Sequence, residues 1–363
     1  MQKFIISSKT LKSALDKLGQ AVNSKSVVPA LSNILCKAGA GEVIFSTSDL
    51  ELSIQYRCEC EVLGDPFDML IPYAFIKQVV GLSKHAPIEV VLSDGRAKIT
   101  GSAGDIYELN ALTPVSDFPN IPALPKKNSI VMDDVTISWL HRALLTVSVD
   151  DARPQMTKVC LDMSGDSMTM ASTDAQSMFT HTFPIQSKSA DQLLISHKIA
   201  KALEGFESAE VYWNNKHIGF HSENITVIAT RQEDKYPNYK GVIPDYTANL
   251  TLQRSDLVDA LQRCCLSSSS NKSTVVHLKE QDGLIRFVSD DPDYSRKIQV
   301  EITGSYTGPV EKFAINAQKL LTIMRQIDYD QVSLHIHNAT KAILISSESD
   351  AGYLGLLMPI SFN

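Results

Sequence analysis

Phe4-Ile-Ile-Ser-Ser-Lys-Thr-Leu-Lys-Ser-Ala-Leu-Asp-Lys-Leu-Gly-Gln-Ala-Val22 begins as a short apolar strand. It continues as a run in which Leu11, Ala14, Leu15, Leu18 and Val22 recur three and four residues apart, the spacing of one buried helix face. The same cassette returns at Ile130-Val-Met132 with Ile137, Leu140, Leu144 and Val147, and again at Leu250-Thr-Leu252 with Leu257, Leu261 and Cys264. A second cassette is interleaved with the first. It reads Met69-Leu-Ile71 before Phe75, Ile76, Val79 and Leu82, then Leu193-Leu-Ile195 before Ile199, Leu203 and Phe206, then Phe313-Ala-Ile315 before Leu320, Ile323, Met324 and Ile327. Self-similarity at a fixed period marks a repeat architecture, here with two helices in each of three repeats.

Between the cassettes run segments of period two, such as Glu42-Val-Ile-Phe-Ser46, Glu89-Val-Val-Leu-Ser93, Ala209-Glu-Val-Tyr-Trp213 and Val332-Ser-Leu-His-Ile-His-Asn338. Turn signals separate them at Ser93-Asp-Gly-Arg96, Trp213-Asn-Asn-Lys216 and Gln281-Asp-Gly283, so they read as antiparallel hairpins. The expected class is α+β, three similar domains with two helices each on antiparallel sheets. Ser48-Asp49, Thr173-Asp174 and Ser289-Asp290 follow the second hairpin strand of their repeats, and Phe118-Pro-Asn120 and Tyr236-Pro-Asn238 end the first two. Prolines 119, 122, 125, 237 and 244 cluster at the junctions, where a missing donor interrupts strands. The boundaries fall near 126 and 247, giving domains 1–125, 126–246 and 247–363.

At 363 residues, with 44% hydrophobic and 21% charged, the chain is expected to fold as two or three ordinary globular domains. It opens without an apolar leader and holds no apolar run near the roughly 20 residues of a membrane span, so a cytoplasmic protein is expected. Its six cysteines lie in apolar patterns and read as reduced, buried thiols. A net charge of −7 argues against simple phosphate binding, which draws on lysine and arginine. The distribution of charge answers this. Six expected helical segments (8–25, 72–84, 133–148, 196–207, 253–266 and 316–327) hold 13 Lys and Arg against 7 Asp and Glu, leaving 21 basic and 34 acidic residues elsewhere. Lysine favours helices and aspartate favours turns in any protein, and the first helix of the second repeat, with Asp133 and Asp134 against Arg142, is not basic.

With three such repeats, basic helices and acidic strands, the chain resembles the beta subunit of bacterial DNA polymerase III, the sliding clamp, over its whole length. The motifs that carry the resemblance are Val28-Pro-Ala-Leu-Ser-Asn-Ile-Leu35, Ser48-Asp-Leu-Glu51, Asp117-Phe-Pro-Asn120, Ala171-Ser-Thr-Asp174, Tyr236-Pro-Asn-Tyr239 with Val242-Ile-Pro244, and Leu357-Met-Pro-Ile360. The resemblance implies a DNA clamp fold and a head-to-tail homodimer closed as a ring around duplex DNA, with helices lining the hole. It implies no enzymatic activity and no cofactor. Interface residues carried over are Tyr107 and Leu109 against Leu266. The inward candidates for DNA are Lys25, Lys77, Lys198 and Lys201, with Arg153, Gln155 and Lys272 on loops that reach DNA in the family.

The resemblance also implies a hydrophobic pocket for short peptide motifs of the clamp loader, the replicative polymerase alpha subunit, other polymerases and repair proteins. Position by position it comprises Met156, Thr173, Ala175, Gln176, Ser177 and Met178, then Pro237 and Val242, then Lys319, Leu356, Met358, Pro359 and Ile360. Methionine walls suit several partners because methionine repacks readily. One departure stands out: after Thr173-Asp174 the family's glycine, histidine or tyrosine, arginine and leucine are replaced by Ala175-Gln-Ser-Met178.

Competing chemistries find little in the sequence. His217-x-x-x-His221 and His335-x-His337 have metal-like spacing but lie in strand patterns without matching cysteines or carboxylates. Asp150-Asp151 and Asp290-Asp-Pro-Asp293 read as turns without a glycine-rich phosphate cradle, and Ser267–Ser270 as a loop without a base. An enzyme would need unlike catalytic groups in one repeat. A protein-binding scaffold indifferent to DNA would not need basic helices.

Overall fold

The structure is a computed structural model and describes residues 2–83, 86–101, 104–150, 152–186, 190–267, 273–278, 283–291 and 296–361. The chain runs β1 (Gln2–Ile6), α1 (Ser8–Leu18), β2 (Asn33–Gly39), β3 (Glu42–Ser48), β4 (Leu52–Glu59), β5 (Glu61–Leu63), β6 (Phe67–Pro72), α2 (Tyr73–Leu82), β7 (Ile88–Ser93), β8 (Arg96–Thr100) and β9 (Ile106–Leu109). It continues with β10 (Asn128–Asp133), α3 (Asp134–Ala143), β11 (Val159–Ser164), β12 (Ser167–Thr173), β13 (Ser177–Pro184), β14 (Asp191–Ile195), α4 (His197–Ala202), β15 (Ser208–Trp213), β16 (His217–Ser222) and β17 (Ile225–Thr230). The last third holds β18 (Ala248–Gln253), α5 (Arg254–Cys264), β19 (Ser273–His277), β20 (Leu284–Asp291), β21 (Arg296–Thr307), β22 (Lys312–Asn316), α6 (Ala317–Gln326), β23 (Gln331–Ile336), β24 (Ile343–Ser347) and β25 (Asp350–Leu357). Apart from the short β5, one order of strands and helices occurs three times. The fold is α+β, as the periodicities predict.

Three antiparallel sheets have the orders β5-β1-β7-β8-β9, β10-β15-β16-β17-β4-β3-β2-β6 and β14-β11-β12-β13-β25-β24-β23-β18-β21-β20-β19-β22. Strands of the middle repeat therefore pair with strands of both neighbours, β17 with β4 and β13 with β25. The chain divides into two compact units, each drawing on the middle repeat: Met1–Ile137 with Lys198–Gln232, and Ser138–His197 with Glu233–Asn363.

In the first unit, α1 starts where the Ser7 side chain accepts the Thr10 N–H, satisfying one of the unpaired donors of a helix start. It buries Leu11, Ala14, Leu15 and Leu18. It ends at Leu18 and passes through one tight turn, Gly19–Ala21. This corrects the expected helix 8–25: Lys25 stands beyond it, in an exposed turn. The other helices are also shorter than their patterns, most of all α4, because the apolar spacing persists into the turn that follows each helix. The shortening sharpens the charge asymmetry. The observed helices hold Lys9, Lys12, Lys17, Lys77, Arg142, Lys198, Lys201, Arg254, Arg263, Lys319 and Arg325 against only Asp16, Asp134, Asp256 and Asp259.

The junction motifs have packing roles. Phe118 is buried with Ala30, Leu35 and Leu70, anchoring the segment that leaves the first repeat. That segment then crosses β16 so closely that a Cβ at Gly219 would lie 2.3 Å from Leu124 Cδ1. In the second unit Tyr236 and Tyr239 play the corresponding part, buried with Cys160, Ala171, Met178, Leu194, Ala342, Leu344 and Leu356. All six cysteines are free. Burial first, and then a neighbouring group (Cys60 beside Cys58, Glu42 beside Cys60, Cys265 beside Cys264), pushes the Cys58 thiol up to about 12 and Cys60 and Cys264 to about 11. Thiols held so high are poor nucleophiles near neutrality.

Candidate functional site

The cavity that gathers the sequence candidates lies within the second unit. It has a volume of about 420 Å3 and is lined by Arg153, Gln155, Met156, Thr173, Ala175, Ser177, Met178, Pro237, Asn238, Tyr239, Val242, Leu356 and Met358. Four segments build it: the turn Pro154–Thr157, the β12–β13 connection, the proline-containing stretch 237–242 and the end of β25. Its floor is the outer face of the buried cluster just described, since Met178, Tyr239 and Leu356 belong to both. Leu356 is thus core and wall at once. Val242 and Met358 stand at the mouth, 55% and 40% exposed, apolar surface that water gains by losing. An apolar, concave site of this size with few polar groups suits two or three aliphatic or aromatic side chains.

Polar groups behind the walls fix the apolar ones. The Tyr239 hydroxyl donates to Asp162 Oδ2 at 2.7 Å, Lys240 Nζ reaches the same oxygen at 2.9 Å, and Gln192 Nε2 donates to Oδ1 at 3.2 Å. Burial alone would raise the Asp162 carboxyl, but Lys240, Tyr239 and Gln192 together hold it below the usual range. The β12–β13 connection is clamped likewise. Asp174 Oδ1 accepts the backbone N–H groups of Gln176 (3.0 Å) and Ser177 (2.7 Å), and Oδ2 is paired with Lys319. Burial again pushes up and is outweighed by Lys319 and the two N–H donors, leaving Asp174 below its ordinary value.

A pH dependence follows from these two carboxylates. Unfolded, each titrates near the ordinary value of about 3.9; folded, each lies lower. Their stabilisation is therefore complete above about pH 4 and is lost as pH falls through the folded values. We expect the thermal midpoint of Asp174→Asn to lie below wild type at pH 7, with the gap closing below pH 4. A gap that stays constant from pH 7 to pH 3 would contradict this assignment.

Thirteen residues were carried to the pocket from the sequence, and the cavity gathers Met156, Thr173, Ala175, Ser177, Met178, Pro237, Val242, Leu356 and Met358. The other four do not line it. The Gln176 carbonyl accepts the Met358 N–H at 2.8 Å, the Ile360 N–H donates to the Ala314 carbonyl at 2.8 Å with Pro359 between, and Lys319 is held by Asp174. Arg153 and Gln155, expected on a DNA-facing loop, also line the cavity. Asn238 and Tyr239 were not singled out as lining residues, although the Tyr236-Pro-Asn-Tyr239 motif contains both.

The remaining candidates are dispersed. Lys77 is exposed on α2, donating to the Tyr73 hydroxyl at 3.0 Å and facing Asp16 at 3.7 Å. Lys198 is paired with Asp49, Lys201 is exposed on α4, and Lys272 lies outside the described residues. Tyr107 and Leu109 sit on β9, the last strand of the five-stranded sheet, where Tyr107 packs edge-on against Phe75 at 6.1 Å. Leu266 is 71% exposed just past α5. A feature missed in the sequence is that β21 pairs with β20 along Arg296–Thr303 and with β18 only from Gly304 on. Among the described residues, residues 297–303 therefore have a ladder partner on one edge only.

Ser289-Asp290 does not follow its strand as expected but lies inside β20, paired with Ile298 and Lys297. His221 contacts Thr226 Oγ1 at 3.0 Å, His335 contacts Ser346 Oγ at 2.7 Å, and among the described residues no three His, Cys, Asp or Glu converge as a metal site. No helix of the described residues is long and apolar enough to cross a membrane.

With this geometry in place, comparison with known proteins is informative. Residues 2–122 match the family model of the DNA polymerase III beta subunit, N-terminal domain, and residues 240–361 that of its C-terminal domain. Among curated relatives, the beta sliding clamp of Streptomyces coelicolor is 22% identical over 379 residues, covering 99% of this chain and 99% of that one. That of Staphylococcus epidermidis is 20% identical over 375 residues with the same coverage. Among solved structures, the DNA polymerase sliding clamp of Bacillus subtilis superimposes with a TM-score of 0.92 at 18% identity, covering 100% of both chains. The Pseudomonas aeruginosa sliding clamp bound to griselimycin gives 0.91 at 18%, covering 99% of this chain and 100% of that one. At such identities the superpositions establish the fold.

Proposed function

The chain belongs to the DNA polymerase III beta subunit family, and from that premise we propose that it is a DNA sliding clamp, a non-enzymatic processivity factor of replication. The observation that carries this reading is coverage: relatives named beta sliding clamp align with 99% of this chain and 99% of their own length. A domain borrowed into another context would match in part.

We propose that the three repeats act as domains 1–125, 126–246 and 247–363, and that two copies close head to tail into a ring. A heterologous contact closes only when its rotation does, and here each copy offers two strand edges to be satisfied, β9 and the first part of β21. Joining them would remove an aggregation liability. Tyr107, Leu109 and Leu266 are the apolar contacts we assign to that seam. The net charge of −7 fits a protein linked to DNA by topology rather than by tight phosphate contacts. Basic helices hold the duplex loosely through screened attraction, and the acidic remainder repels it elsewhere. Lys25, Lys77, Lys201 and Lys272 are the lysines we assign to this lining. Lys198 is engaged by Asp49 and is the least available. Arg153 and Gln155 keep the assignment to loops that reach DNA, at the edge of the cavity that they also line.

The cavity is read as the docking site for short segments of the replicative polymerase alpha subunit, the clamp loader, and other polymerases and repair proteins. We assign the protein to the cytoplasm, where a bacterial chromosome is replicated.

Mass in solution tests the ring. Light scattering is expected to give twice the chain mass of 39.9 kDa, and Leu109→Lys to give the single-chain mass. A charge forced into the seam should weaken association on the order of a hundredfold, as loss of a central contact does. A wild-type chain that stays monomeric at replication-relevant concentrations would sink the closed ring.

A further inference from the structure

Two turns of this chain share one plan of backbone hydrogen bonds. Between β3 and β4, Ser48 Oγ accepts the Leu50 N–H at 3.1 Å, and Asp49 Oδ1 accepts those of Glu51 (3.1 Å) and Leu52 (2.9 Å). Leu50 is left-handed at φ 78°, and the Glu51 carbonyl accepts the Thr230 N–H at 2.9 Å. Between β12 and β13, Thr173 Oγ1 accepts the Ala175 N–H at 3.1 Å, and Asp174 Oδ1 accepts those of Gln176 and Ser177. Ala175 is left-handed at φ 70°, and the Gln176 carbonyl accepts the Met358 N–H at 2.8 Å. Each aspartate gives its second oxygen to a lysine near the start of the second helix in the following repeat, Lys198 on α4 and Lys319 on α6. The third repeat has no following repeat within the chain, and its Ser289-Asp290 stays in β20.

This arrangement is under tension. A left-handed conformation is unfavourable for any residue with a Cβ, and the two aspartate side chains are only 9% and 18% exposed. An aspartate so enclosed stays in place while a cation faces it; without one it turns to solvent. That movement releases the N–H groups it holds, and the left-handed residue is then free to relax. At the second turn the residues that would move, Ala175 and Ser177, line the cavity. At the first turn none does.

We propose that Asp174 and Lys319 are positioning residues of the partner site. Their ion pair holds the Ala175 turn in the shape that forms the cavity rim, while Asp49 and Lys198 fasten the twin turn with no part in binding. The proposal rests on the reading of the cavity as a docking site, and it replaces direct contact by Lys319 with action through Asp174. It also explains how alanine is accommodated where the family's glycine is replaced.

The twin turn is a built-in control. With the replicative polymerase alpha subunit of the same organism as probe, Asp174→Asn and Lys319→Met are expected to weaken binding roughly three- to tenfold, the scale of a charge-assisted hydrogen bond partly passed on to the ligand. Lys319→Arg should restore it. Asp49→Asn should lower the thermal midpoint about as much as Asp174→Asn does, yet leave the affinity at the wild-type value. Wild-type affinity in Asp174→Asn and Lys319→Met would overturn the proposal, as would an equal loss in Asp49→Asn. A wild-type protein that does not bind the alpha subunit, or a variant lacking residues 358–363 that binds it undiminished, would instead overturn the docking reading and the proposal with it.

Discussion

Deleting residues 358–363 is expected to weaken binding of the replicative polymerase alpha subunit by about a hundredfold or more, since a buried anchor alone contributes roughly 1.5–3 kcal/mol. Met358 is the wall of the cavity at its mouth, and its N–H ties the end of β25 to the Gln176 carbonyl. The Ile360 N–H continues the tie to Ala314 on β22. Removing these residues therefore opens one side of the cavity and frees the rim turn on the other. The fold should survive, because β25 ends at Leu357, which keeps its pairing with Ser177 and Ile343. The mass in solution should remain that of the dimer, since Tyr107, Leu109 and residues 297–303 of β21 are untouched. Surface plasmon resonance with the alpha subunit measures the loss directly. Undiminished binding by the truncated protein would remove the cavity from the account.

The sequence displayed the repeat clearly because hydrophobic period reports which face of an element is buried, and that is decided locally. Leu11, Ala14, Leu15 and Leu18 are buried on α1 where their spacing puts them. Helix ends were less legible: the apolar pattern runs on through Val22, whereas hydrogen bonding stops the helix at Leu18, and Lys25 was misplaced onto it. The cavity was legible only through resemblance. Nothing in the spacing of Met156, Met178, Val242 and Met358 reveals that four distant segments meet. Residues behind the walls were the hardest to read. Lys319 and Asp174 are 145 positions apart, and an ion pair between distant surface-type residues leaves no periodic mark. The left-handed Ala175 was hidden for a related reason, since alanine carries none of glycine's usual warning of positive φ. Arg153 and Gln155, assigned to DNA through the resemblance, also line the cavity, a placement that their sequence positions did not reveal.

The claim at the centre of the account is that this protein holds DNA by enclosing it. Binding through phosphate contacts alone would fall steeply with salt, by about 10³–10⁵ between 50 and 200 mM for a protein making several such contacts. A closed ring has no comparable dependence while it stays closed, because the duplex can leave only at an end or through a broken seam. The few unpaired lysines on the helices and the net charge of −7 leave little room for strong direct attraction. The direct measurement is the lifetime of the protein on a closed circular duplex, loaded by the clamp loader of the same organism, before and after a single double-strand cut at 200 mM salt. The account predicts long retention on the circle and rapid loss once it is cut. Equal lifetimes on the circle and on the linear molecule would contradict it.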